Sequence, residues 1–208
     1  MEETIIISLG GSLIIPEEID INFLKDFKSL ISAQVNKRFF IITGGGKVCR
    51  KYQNAAKEIS NPTNDELDII GIKALNLNAE LVRVLFKNDS HVNIYGAEKP
   101  GSSTDLGAVI LAKEHGAKKV INLSNIDFAY DKDPNKFPDA KKIEKISWPE
   151  YRSLIPAEWN PGLSTPFDPI ASKMAEEGGM EVVILNGKNI SNLEKCLNGE
   201  VFIGTHIK

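Results

Sequence analysis

The 208-residue chain has only two cysteines, Cys49 and Cys196, so no disulfide framework holds it together. Its three histidines, His91, His115 and His206, are scattered, and no zinc-ligand spacing exists. No apolar run approaches the length of a membrane span, and the opening Met1-Glu2-Glu3 lacks the basic stretch of a secretory leader. The net charge is only -3, which argues against binding nucleic acid through overall charge. There is no internal repeat, no low-complexity tract, and no Ser-His-Asp or Cys-His set for covalent catalysis. What remains is 42% apolar and 25% charged, the balance of a soluble globular protein with a sizeable core. The expected setting is the reducing cytoplasm, with no nucleic-acid or membrane partner.

Against those absences stands a regular alternation of elements. Short β-branched or apolar runs predict buried strands at 4–9, 38–43, 92–95, 118–123, 181–185 and 201–205. Apolar spacing of helical period predicts helices over 20–33, 47–58, 65–86, 104–115, 148–155, 168–177 and 190–197. The basic stretch 138–146 is expected to be a solvated loop or an edge strand. Strands alternating with helices predict a mainly parallel sheet covered on both faces. No interior stretch looks like a flexible linker. One domain spanning 1–208 is expected, with residues 107–117 as a soft boundary between two lobes.

Polar chemistry gathers where the predicted strands end. Gly10-Gly11-Ser12 follows the first strand, and Gly44-Gly45-Gly46-Lys47 follows the second, with Arg50 and Lys51 one turn on. Glycine lets another group approach the backbone, and a helix N-terminus offers unpaired N–H groups to an anion. A plain glycine turn with a solvated basic helix face would account for the same residues. The Gly-Lys pair is followed by Val48, so this is no Walker A loop, and the spacing is not GxGxxG. Ser102, Ser103 and Thr104 could cap the helix that Asp105 enters, or receive a phosphate. Asp127, Asp131 and Asp133 follow the fourth strand, in a stretch where turns alone would also favour aspartate. Asp168 precedes Pro169 at a helix start. In a parallel sheet all these strand ends share one edge, where ligands of open α/β sheets bind. Glycine amides with nearby aspartates favour phosphoryl transfer, which needs positioning and charge compensation rather than a protein nucleophile.

Seven motifs occur here in an order that resembles the amino-acid-kinase superfamily. They are Leu9-Gly10-Gly11-Ser12, Gly44 to Lys47 with Arg50, Asp68 with Gly71, and Pro100-Gly101 with Ser103-Thr104-Asp105. Asn125-Ile126-Asp127 with Tyr130 and Asp133-Pro134, Phe167-Asp168-Pro169 with Ala171 and Lys173, and Gly204-Thr205 complete the set. Within the superfamily the chain is most similar to the uridylate kinase family of archaeal type. The resemblance implies a three-layer αβα sandwich with a mainly parallel sheet. It implies Mg-ATP as donor, UMP as acceptor, UDP as product, and a homo-oligomer, hexameric or dimeric. By match to the motifs, Lys47, Arg50, Asp127 and Asp168 would be catalytic. Gly11, Ser12, Gly46, Arg50, Ser124, Asn125, Tyr130 and Asp133 would hold ATP. Gly45, Asp68, Ala97, Glu98, Lys99, Pro100, Gly101, Ser102, Ser103 and Thr104 would hold UMP, with Asp68 on the ribose. Mg2+ would be held mainly by the nucleotide, with Asp127 as the candidate protein ligand. Residues 1–115 would form the acceptor lobe and 116–208 the ATP lobe.

Three departures stand out. Many superfamily members carry a lysine where this chain has Ser8, a charge Lys47 is expected to replace. The family's Asp-Gly-Val-Tyr is Asp127-Phe128-Ala129-Tyr130 here. The stretch from Gly71 to Pro100 is shorter than usual, as if a helix–strand unit were missing. Two alternatives follow: another small-molecule kinase of the superfamily, or a nucleotide-binding storage or regulatory protein of weak activity.

Overall fold

The computed structural model describes residues 3–97, 103–158 and 165–208. In chain order the elements are β1 (Glu3–Leu9), α1 (Gly11–Ile14), α2 (Ile21–Ala33), β2 (Lys37–Thr43), α3 (Gly46–Ile59), α4 (Asn64–Leu85), β3 (Val92–Tyr95), α5 (Thr104–Glu114) and β4 (Lys119–Ser124). There follow β5 (Ala129–Tyr130), β6 (Lys142–Ile143), β7 (Lys145–Ile146), α6 (Trp148–Leu154), α7 (Pro169–Glu177), β8 (Glu181–Asn186), α8 (Ile190–Leu197) and β9 (Thr205–Ile207). The main sheet has the order β3-β2-β1-β4-β8-β9-β7, and β5 and β6 form a separate antiparallel ribbon. From β3 to β8 every pairing is parallel; β9 runs antiparallel to β8, and β7 parallel to β9. The expected mainly parallel αβα sandwich is what the chain forms.

Alternation along each strand sorts the core into two layers. Ile5, Ile7, Leu9, Phe39, Ile41, Ile121, Leu123, Val183 and Leu185 face one layer, packed with Leu13, Ile14, Phe27, Val82 and Leu193 from α1, α2, α4 and α8. Ile6, Phe40, Ile42, Val120, Val182 and Ile184 face the other, under Val109, Ala112, Tyr151, Ala171 and Ala175 from α5, α6 and α7. Each fully buried Leu, Ile or Phe contributes roughly 1.5–3 kcal/mol against exposure. Caps set the helix starts: Asp20 accepts from Phe23 N–H at 3.0 Å, and Thr63 and Ser147 form capping boxes with Glu66 and Glu150.

Two local outcomes differ from the sequence expectation. Gly11–Ile14 forms one helical turn rather than a bare glycine turn. The 138–146 stretch contributes β6 and then the edge strand β7, within the range expected. The last strand begins at Thr205, not Val201. Val201 is 93% exposed and Ile203 53%, so only Phe202 of this apolar run packs against the core. The buried pairing starts after Gly204, whose backbone lies so close to the Ile184 carbonyl that a Cβ would stand 2.6 Å from it.

Chain direction reverses about β1. The path runs outward through β2 and β3, returns through α5, and leaves on the other side through β4 and β8. The crevice between β1 and β4 is therefore a topological switch point, bridged by Gly10 N–H donating to the Leu123 carbonyl at 2.8 Å.

Candidate active site

Gly11 and Gly46 lock the first two turns together. A Cβ on Gly11 would lie 2.3 Å from Gly46 N and 2.4 Å from Gly44 O; one on Gly46 would lie 2.4 Å from Gly11 O. Gly46 also has φ +61°, a left-handed conformation that a side chain resists. Gly44 N–H donates to the Leu9 carbonyl at 2.8 Å. The starts of α1 and α3 thus lie side by side, each with its first N–H groups unused by its own helix. The start of α5 reaches the same place, since a Cβ on Gly44 would be 3.4 Å from Thr104 Oγ1.

Helix α4 backs this junction. Thr43 Oγ1 donates to Leu75 O at 3.3 Å, and buried Asn78 donates from Nδ2 to Gly44 O at 2.8 Å and Gly45 O at 3.4 Å. Asn76 brackets Ala97, donating to its carbonyl at 3.0 Å and accepting from its N–H at 3.1 Å. Cys49 lies against Gly45 and Gly71, and burial raises its thiol above the ordinary range, with Arg50 opposing and Asp68 adding to the shift. Asp68, Cys49 and Arg50 therefore form one neighbourhood beside Gly45.

A second cluster lies beneath the switch point. Ser8 and Asn122 interrupt the apolar pattern of β1 and β4, and both are buried. Ser8 Oγ donates to Asp105 Oδ1 at 2.9 Å, and Asn122 Nδ2 donates to the same oxygen at 3.1 Å. Asp105 Oδ2 accepts from Asp168 N–H at 3.1 Å. Asp168 in turn caps α7, its Oδ1 accepting from Ala171 N–H at 2.7 Å. Burial raises the Asp105 carboxyl to about 6 despite the bonds from Ser8 and Asp168. Tyr151 completes the support: its hydroxyl donates to Phe167 O at 3.1 Å and accepts from Phe167 N–H at 2.8 Å. Burial pushes its phenol well above the ordinary range.

Of the residues singled out from sequence, Gly11, Ser12, Gly45, Gly46 and Thr104 meet at the three helix starts. Ser103 is spent as the cap of α5, accepting from Leu106 N–H at 3.1 Å. Lys47 pairs with Glu17 of the loop after α1, and Arg50 is exposed on α3. Ser124 closes β4, with Asn125 and Asp127 exposed just beyond it. Tyr130 lies on the β5–β6 ribbon. Asp133 sits in the excursion between those strands, where its carboxylate accepts from Asn135 N–H at 3.0 Å and lies below its ordinary range. Asp131 accepts from Lys141 N–H at 2.8 Å. Asp127, Asp131 and Asp133 do not converge; among the described residues no three His, Cys, Asp or Glu side chains form a metal cage. Glu98, Lys99, Pro100, Gly101 and Ser102 lie outside the described residues.

Sequence reasoning missed Asn76, Asn78 and Asn122, and read Asp105 only as a helix-start residue. The signal for Asn122 and for the Ser8–Asp105 bond was present: a polar residue in an otherwise apolar buried strand requires a partner.

A parallel α/β sandwich with paired glycine turns and helix starts at its switch point defines a class, the α/β proteins whose ligands bind at strand carboxyl ends. The particular family follows from comparison: the chain belongs to the amino acid kinase family, whose model matches residues 72–186. It is 31% identical to a uridylate kinase of Thermoplasma acidophilum, over 100% of this chain and 97% of that protein. It is 32% identical to a uridylate kinase of Staphylothermus marinus, over 96% of each. The crystal structure of a uridylate kinase from Archaeoglobus fulgidus superposes with TM-score 0.83 at 26% identity, covering 99% of this chain and 100% of that one. A UMP kinase from Bacillus anthracis shares the fold at TM-score 0.83 and 17% identity, over 99% of this chain and 96% of that one.

Proposed function

We propose that this chain is a nucleoside monophosphate kinase that transfers a phosphoryl group from Mg-ATP to UMP, giving UDP and ADP for pyrimidine nucleotide synthesis in the cytoplasm. The observation that carries the reading is the interlocked pair of glycine turns at the switch point, in a chain similar over its whole length to uridylate kinases. A phosphate oxygen of UMP attacks the γ-phosphorus in line, and the bond to the bridging oxygen of ADP breaks. Gly45 N–H and Asp68 hold the acceptor's phosphate and ribose, together with the stretch from Ala97 to Thr104. Gly11, Ser12 and Gly46 line the donor phosphates, and Ser124, Asn125, Tyr130 and Asp133 hold the rest of ATP. Lys47 and Arg50 compensate the charge that develops between the two nucleotides. Residues 1–115 form the acceptor lobe, which also lends its glycine turns to the donor phosphates, and residues 116–208 form the ATP lobe.

Mg2+ would be held mainly by the nucleotide. This ion keeps several waters and takes one or two carboxylates besides phosphate oxygens, which suits a single exposed aspartate, Asp127, beyond β4. The ion would offset the charge of the donor phosphates. Asp168 acts from beneath, its N–H bonded to Asp105 and its carboxylate holding the start of α7.

The working state is a homo-oligomer, and a second copy covers α3. On that helix Val48 packs on the core and Cys49 against Gly45 and Gly71, while Tyr52 at 65% and Ile59 at 86% remain exposed. Strand β3 is a poor alternative, being short and having its Ile94 carbonyl already taken by Arg83 at 3.1 Å.

A coupled assay of ADP release, with UMP, CMP, AMP and small carboxylic acids as acceptors, tests the reading. UMP should turn over fastest. ATP binding without turnover on any acceptor would overturn it in favour of a nucleotide-binding protein.

A further inference from the structure

The carbonyls of Gly44 and Gly45 both point at one buried amide. Asn78 is 1% exposed and donates from Nδ2 to Gly44 O at 2.8 Å and to Gly45 O at 3.4 Å. Two carbonyl acceptors fix which end of the side-chain amide faces the turn, because only the NH2 can donate. Across a trans peptide the C=O of one residue and the N–H of the next point in opposite directions, and the chain has no cis bond among the described residues. Holding Gly44 O and Gly45 O inward therefore turns the N–H of Gly45 and of Gly46 outward, away from the core. Neither N–H takes an acceptor among the described residues. Asn78 Oδ1, meanwhile, is buried with no hydrogen-bond partner. An unsatisfied buried oxygen is a cost, and apolar packing alone would be better served by leucine.

We infer that Asn78 is a positioning residue: it sets the peptide planes of the triple-glycine turn so that two adjacent N–H groups face the transferring phosphates. Its place on α4 makes the arrangement directional. Asp68, Gly71, Leu75 and Asn78 recur at spacings of three, four and three, so they share one face of the helix. Leu75 O holds Thr43, Gly71 packs on Cys49 and Gln53, and Asn78 holds the glycine carbonyls. The helix that carries the acceptor-side aspartate thus also fixes the amides beside it. A turn left without this anchor can rotate either peptide, presenting a carbonyl oxygen where a phosphate must sit. The inference rests on reading the cleft as a phosphate site, and the test separates the two.

Asn78→Leu keeps the branched outline of the side chain and removes the donor; Asn78→Asp keeps the shape and replaces the NH2 with oxygen. Both are compared with the parent by thermal melting, by steady-state kinetics with UMP and Mg-ATP, and by the amide resonances of Gly45 and Gly46 during titration with inorganic phosphate and with ADP. The expected result is an Asn78→Leu variant that stays folded, with a melting temperature lowered by the glycine carbonyls left without their donor. Its kcat/KM should fall by roughly 100-fold, the scale of losing one preorganised donor to a transition-state oxyanion. Phosphate-induced shifts of both glycine amides should be present in the parent and lost in the variant. Asn78→Asp should lose the same activity at pH 8 and regain part of it relative to the parent as pH falls, because a protonated carboxyl can donate one bond. Folded variants that keep both the amide shifts and the parent's kcat/KM overturn the role of Asn78 while leaving the cleft intact. Absence of phosphate-induced shifts in the parent overturns the cleft reading and this role with it.

Discussion

Asp105 sits where a charge is least welcome, yet it organises three neighbours. Its carboxyl is raised to about 6 from the ordinary 3.8, chiefly by burial. The folded chain therefore holds this proton more tightly than the unfolded chain does. The stability it contributes is fully present below about pH 4 and is lost as pH rises through about 6. Thermal melts of the parent should show that loss between pH 4 and 7, and Asp105→Asn should flatten it. Matching slopes would remove Asp105 as the source. Arg50 is the opposite case, an exposed cation that no described packing requires. Arg50→Ala should melt within experimental error of the parent and lose about 100-fold or more in kcat/KM, as expected for deleting a charge that faces transferring phosphate. Full turnover in that variant would take the phosphate role away from Arg50.

At the scale of elements, the junction of α1 and α3 depends on backbone contact. Gly11→Ala places a methyl 2.3 Å from Gly46 N, and backbone atoms cannot give way as a flexible side chain can. Overpacking of this kind costs about 1–3 kcal/mol, and the left-handed φ of Gly46 adds about 1–2 kcal/mol for any residue placed there. Urea denaturation should show Gly46→Ala as the more destabilising of the two, with activity lost in both. The pair Lys47–Glu17 belongs at this scale too, since it ties the loop after α1 to the first turn of α3. Both partners are largely exposed, so the pair adds little to stability.

For the whole molecule, α3 carries two of the most exposed large apolar side chains among the described residues. Ile59 at 86% exposure and Tyr52 at 65% are large apolar groups on the outer side of a helix that packs on α1 and α4. If a second copy covers this helix, light scattering after gel filtration should give a mass at least twice 22.9 kDa, and Ile59→Lys should shift it toward the monomer. A monomeric parent at micromolar concentration would overturn the oligomer. The five consecutive parallel strands place every catalytic candidate at one sheet edge, so a change at the opposite edge should leave turnover alone while altering stability.

The sequence by itself determined the sheet class, the order of most elements and the glycine turns, because periodicity and turn chemistry are local properties. It also determined the family, through motifs kept in order along the chain. It misplaced the last strand, since Val201 to Ile203 are apolar enough for a strand and only Gly204's approach to Ile184 decides where pairing starts. Tertiary structure alone decided that Ser8, Asp105, Asn122 and Asp168 form one largely buried cluster, joined by hydrogen bonds that span up to 97 residues. It alone set Asn78 behind Gly44, 34 residues away in the chain. Hydrogen bonds between distant residues follow from strand order and helix packing. No pattern within a short window carries that information, even where a lone polar residue in an apolar strand announces that a partner must exist.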